Sequence, residues 1–102
     1  MEQRIEQKRE QLAELCRQHR VQRLALFGSA LREDFDSERS DLDFLIEFEP
    51  LPKGTYADTY FGLIEALERL FERRVDLVVE SAIKNPYFRE SVARNQALLY
   101  AA

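Results

Sequence analysis

Two aspartates, Asp41 and Asp43, stand one residue apart at the head of the run D-L-D-F-L-I-E-F, residues 41–48. Side chains alternate along a strand, so both carboxylates project from one face, with Cα atoms roughly 6–7 Å apart. Carboxylates so placed can converge on one or two hard divalent cations. Left unpaired they would repel each other, and a bound cation is the natural compensation. Mg²⁺ takes oxygen ligands and completes its shell with substrate phosphates. Just upstream, V-Q-R-L-A-L-F ends in Gly28-Ser29. Glycine lets backbone approach a phosphate closely, and serine adds a hydroxyl donor beside exposed N–H groups. A Gly-Ser pair alone reads as an ordinary strand-ending turn; the Asp-x-Asp downstream turns the reading toward phosphate. A phosphate cradle with a carboxylate clamp is the minimum equipment for transfer from a nucleoside triphosphate.

The elements that must position these groups can be read from periodicity. Residues from about Gln3 to His19 predict an amphipathic helix, with Ile5, Leu12, Leu15, Cys16 and His19 at helical spacing. Cys16 falls on the apolar stripe as a core thiol. His19 sits near the helix C-terminus, where positive charge is favourable. Val21 to Phe27 reads as the first strand, Leu31 to Glu33 as a helical turn and Asp34 to Ser40 as a polar loop without P-loop character. Asp41 to Phe48 is the second strand. Leu42, Phe44, Ile46 and Phe48 lie on one face, with Asp41, Asp43, Leu45 and Glu47 on the other. Glu49 to Thr55 forms a turn. Tyr56 to Phe71 is a second long helix, whose stripe of Tyr56, Tyr60, Leu63, Ile64, Leu67, Leu70 and Phe71 reads as core rather than a platform for a base. Arg73 to Glu80 is the third strand. Asp76 is a lone acid among its aliphatic residues, costly to bury unless paired with Arg73 or Arg74 or bound to a metal. Asn85 caps a helix that starts at Pro86, and A-L-L-Y-A-A closes as a short strand or turn. Helices and strands in this order fit an α/β (α+β) fold, a small mixed sheet covered by helices.

Composition sets the bounds. A chain of 102 residues suffices for one domain and one core, so residues 1–102 are expected to form a single domain. The net charge of −4 argues against wrapping duplex nucleic acid, which needs a concentrated basic surface. No apolar run approaches the ~20 residues of a membrane helix. The first residues, M-E-Q-R-I-E-Q-K-R-E, carry no apolar signal core. One cysteine forms no internal disulfide, and one Cys with one His make a poor zinc site. These features together predict a cytoplasmic location.

F-G-S followed by S-D-L-D-F resembles the Gly-Ser…Asp-x-Asp signature of the DNA polymerase β superfamily of nucleotidyltransferases. More narrowly, the chain looks like the minimal nucleotidyltransferases of the MntA type, antitoxins paired with HEPN-domain toxins. The likeness runs from about Val21 to Tyr100 and implies a polymerase-β-like core. It implies that Asp41, Asp43 and Asp76 are the catalytic and metal-binding triad, holding two Mg²⁺ ions. Asp76 would stand near the attacking hydroxyl. Gly28 and Ser29 would hold the β and γ phosphates, and Arg32 would neutralise phosphate charge. The implied substrate is ATP, and the implied acceptor a tyrosine hydroxyl of a HEPN toxin silenced by AMPylation.

The chain departs from that pattern in its loop. Eleven residues separate Ser29 from Asp41, one more than relatives commonly have. Glu33 stands where they commonly have Gly, and Glu33 and Asp34 add negative charge near the triphosphate site. This leaves alternatives: a weakly catalytic module that neutralises its toxin by binding, a nucleotidyltransferase of small molecules, or a structural cation-binding domain. A chain this short lacks a second domain to close over the base, so a partner or self-association would complete the pocket.

Overall fold

The computed structural model describes residues 3–28 and 41–102. Its elements run α1 (Gln3–Gln7), α2 (Arg9–Gln18), β1 (Val21–Phe27), β2 (Leu42–Phe48), α3 (Tyr56–Phe71), β3 (Val75–Val79), a 3₁₀ turn (Glu80–Ala82), α4 (Pro86–Arg94) and β4 (Gln96–Ala101). The strands form one mixed sheet in the order β3-β2-β1-β4. β1 pairs antiparallel with β2 and with β4, while β2 and β3 are parallel. A parallel pair needs a crossover, and the sixteen-residue α3 supplies it.

Period-2 alternation gives the sheet two different faces. Leu24 and Leu26 of β1, Leu42, Phe44 and Ile46 of β2, and Val75 and Leu77 of β3 pack against Ile5, Leu12, Cys16, Leu63, Leu67 and Phe71 from the first three helices. Phe44 and Phe71 stack at 5.9 Å between ring centroids. Each fully buried side chain of this size stabilises the fold by about 1.5–3 kcal/mol. The opposite face carries a smaller apolar cluster of Ala25, Phe27 and Leu45 under Ile83 and Val92. Val92 comes from α4, so α4 covers the face on which Asp43 lies.

The expected N-terminal helix is two helices. The chain breaks at Lys8, which leaves helical geometry at φ −104° and ψ 17°. Its ammonium donates to the Leu70 carbonyl and lies 6.0 Å from the centre of the Phe71 ring. That contact joins the break to the end of α3. The third strand is shorter than Arg73–Glu80, because Glu80 turns into the 3₁₀ segment. The closing segment, open between strand and turn, is a strand held by β1 and by Arg9, whose guanidinium donates to the Leu98 carbonyl at 2.9 Å. Asn85 caps α4 as expected, its Oδ1 accepting from the N–H groups of Tyr87 and Phe88 at 2.9 and 3.2 Å. Among the described residues no helix is long and apolar enough to cross a membrane.

Candidate active site

Three neighbouring strands carry the chemistry at one end of the sheet. In the register of β1 on β2, Phe27 stands opposite Asp43; in the register of β2 on β3, Asp43 stands beside Asp76. Phe27, Asp43 and Asp76 therefore form one row on the face that α4 covers. Adjacent strands lie about 4.8 Å apart, so the backbone brings the two aspartates next to each other. The Leu42 N–H donates to the Arg74 carbonyl at 3.0 Å, which fastens together the strand ends that carry them. Asp41 lies one residue before β2 and is half-buried, as is Asp43.

Asp76 is exposed rather than buried. β3 is an outer strand among the described residues, so its carboxylate faces water instead of apolar packing. Burial therefore does not force a partner on it, since an exposed carboxylate keeps its hydration. Ion pairs also join Arg17 to Glu14, Arg23 to Glu80 and Arg94 to Glu90.

Gly28 follows β1 directly and has φ +76°, a region that side-chain-bearing L residues rarely adopt. A Cβ built there would lie 2.4 Å from Oδ2 of Asp43. Glycine is thus required twice, for the turn and for the approach of the Asp43 carboxylate to the backbone. In the sequence this glycine reads as a strand-ending turn or a phosphate contact. The carboxylate contact was hidden because it depends on how β1 pairs with β2. A further contact that sequence patterns did not reveal is the edge-on packing of Phe88 on Phe27, with ring centroids 6.2 Å apart. It braces the strand end before Gly28 from α4. Ser29, Arg32, Glu33 and Asp34 lie outside the described residues.

The donor set fits a hard divalent cation. Carboxylate oxygens are its preferred ligands, and Gly28 keeps the side of Asp43 clear of any Cβ. Among the described residues no three His, Cys, Asp or Glu side chains are gathered closely enough to hold an ion as they stand. What the fold brings together is the Asp43–Asp76 pair beside a positive-φ glycine turn, with Asp41 flanking it.

A family model described as a nucleotidyltransferase domain matches residues 8–98. The protein adenylyltransferase MntA of Thermococcus cleftensis is 38% identical over 72 residues, which are 71% of this chain and 69% of that one. A solved minimal nucleotidyltransferase is 37% identical, with a TM-score of 0.72 over 89% of this chain and 88% of that one. A Shewanella oneidensis MNT antitoxin, solved in complex with a tri-AMPylated HEPN toxin, shares the fold at 17% identity. Its TM-score is 0.65 over 96% of this chain and 73% of the other.

Proposed function

The chain belongs to the nucleotidyltransferase domain family, and from that premise we propose that it transfers AMP from ATP to a hydroxyl of a partner protein. It is a nucleotidyltransferase; what we add is the donor, the acceptor and the residues. The observation that carries the proposal is the Asp43–Asp76 register pair lying beside the Gly28 turn. The name of the Thermococcus relative supports a protein acceptor. The AMPylated HEPN toxin bound to the Shewanella antitoxin supports AMP as the group and a HEPN-family toxin as the partner. The acceptor is then a tyrosine hydroxyl of that toxin, and the chain acts as its antitoxin.

In this reading the acceptor oxygen forms a bond to the α-phosphorus of ATP. The bond from that phosphorus to the oxygen bridging to the β-phosphate breaks, and pyrophosphate departs with the electron pair. Asp76, exposed and next to Asp43, accepts the proton of the entering hydroxyl. Gly28, with Ser29, presents backbone N–H groups to the departing phosphates, and Arg32 offsets their charge. Asp41, Asp43 and Asp76 would hold Mg²⁺, as two ions when ATP is bound. Bound there, the metal would neutralise triphosphate charge and polarise the phosphoryl oxygens.

The test is intact-mass analysis of the co-purifying partner after incubation with ATP and Mg²⁺. The proposal expects a mass gain of one or more AMP units with the unaltered chain and none with Asp41→Ala/Asp43→Ala. An inactive toxin in a tight complex without any mass gain would overturn transfer in favour of neutralisation by binding.

A further inference from the structure

The row of site residues has a direction. Gly28 lies at the β1 end, Asp43 in the middle and Asp76 on the outer strand β3. In an in-line displacement at phosphorus, the entering and leaving oxygens lie on opposite sides. With the leaving pyrophosphate at the Gly28 end, the entering hydroxyl comes from beyond Asp76, over the outer edge of β3. An open groove of about 600 Å³ lies along β3, starting two residues on from Asp76. Val78, the next residue along β3 on the same face as Asp76, lines it. So do Tyr56, Tyr60 and Phe61 of α3 on one side and Ile83 and Phe88 on the other.

The groove is aromatic and faces water. Phe61 is 61% exposed and Phe88 42%. Tyr56, Tyr60 and Phe61 form a continuous ring ladder, with centroids 6.2 and 5.3 Å apart. Among the described residues Lys84 is the one charged residue in its lining. Large aromatic groups around a concave site, with few charges, fit an apolar side chain of a protein better than a hydrophilic small molecule. Resting on the transfer reading above, we propose that this groove seats the acceptor: a protein segment whose apolar or aromatic side chains, flanking the acceptor hydroxyl, fill the space between α3 and α4.

The test uses the full chain and two probes. One is a fluorescein-labelled peptide with a central tyrosine flanked by leucine and phenylalanine; the other is a fluorescent N-methylanthraniloyl ATP with Mg²⁺. Binding of each is followed by anisotropy for the wild type and Phe61→Asp. Phe61 is exposed, so its replacement leaves the core intact. The expected result is about tenfold weaker peptide binding in Phe61→Asp, with nucleotide binding within about twofold of wild type. A loss confined to nucleotide binding would make the groove a base site and overturn the proposal. So would unchanged peptide binding, or no peptide binding by the wild type. AMP transfer to the co-purifying partner is measured on the same proteins. Transfer that is unimpaired in Phe61→Asp sinks the groove and leaves the enzyme standing; peptide binding at Phe61 without transfer by the wild type does the reverse.

Discussion

The Cα of Gly28 faces the carboxylate of Asp43 so closely that a Cβ on the glycine would sit 2.4 Å from Oδ2. Gly28→Ala therefore must move either the turn or the aspartate, and it also holds alanine at φ +76°. We expect a fall in stability of about 1–3 kcal/mol. Transfer should fall by on the order of 100-fold, as displaced reacting groups do. Thermal unfolding and AMP transfer measured on one preparation separate the two. An alanine variant with wild-type transfer would show that the carboxylate tolerates displacement.

Asp43→Asn and Asp76→Asn remove charge at constant size. Asp76 is exposed, so its replacement should change stability by no more than about 0.5 kcal/mol. Transfer should fall by on the order of 10²–10³ in each variant. Retained transfer in Asp76→Asn would remove this residue from the proposed proton transfer and metal site, whatever the behaviour of Asp43.

Burial pushes the Cys16 thiol up to about 12 from its ordinary 9.0. Ionisation favours the unfolded chain above pH 9, since the thiolate forms there first. The contribution of this thiol to stability is complete below about pH 9 and is lost as pH rises toward about 12. At neutral pH the thiol should react with a disulfide reagent only through unfolding, at a rate that rises with denaturant. Stoichiometric labelling within seconds in buffer would contradict its burial.

Two helix ends offer opposite changes. Glu72 ends α3 in the left-handed region at φ 55°. Glu72→Gly should relieve this and stabilise the chain by about 0.5–1 kcal/mol. Asn85→Ala removes the acceptor for two N–H groups at the start of α4. It should cost about 1 kcal/mol, a Tm drop of about 4–8 °C for a domain of this size. A calorimetric pair of variants with the same sign would refute the cap argument.

Strands and helices with strong local signals were legible in the sequence. Val21–Phe27 ends at a glycine that must turn, and Tyr56–Phe71 repeats its apolar residues at helical spacing; both have the bounds expected. The break at Lys8 was not legible, because the periodicity runs straight through it and the contact made there is with the Leu70 carbonyl far along the chain. β4 was left undecided because Q-A-L-L-Y-A alternates poorly, and β1 supplies the pairing that makes it a strand. For the proposed site, Asp41, Asp43 and Gly28 stand out in the sequence by type and order, and Asp76 only by its match to the family's third aspartate. The pairing of Asp43 with Asp76, the exposure of Asp76 and the brace of Phe88 on Phe27 all follow from strand order and register, which no local pattern encodes.

The sheet order also imposes a sequence of events on folding. β2, α3 and β3 are consecutive, so the strands bearing the aspartates can pair across one short crossover. β1 is flanked on its other side by β4, from the far end of the sequence, and closing so long a loop is slow. β1, β2 and β3 are consecutive and should consequently pair first, bringing the glycine turn to the aspartates, with β4 docking last. Hydrogen exchange on Leu99→Asp, which places a charge at a buried β4 position, tests this order. Amides of β2 and β3 should stay protected, with faster exchange confined to the β1 edge that β4 covers; equal acceleration in all three strands would mean that β4 forms together with the rest.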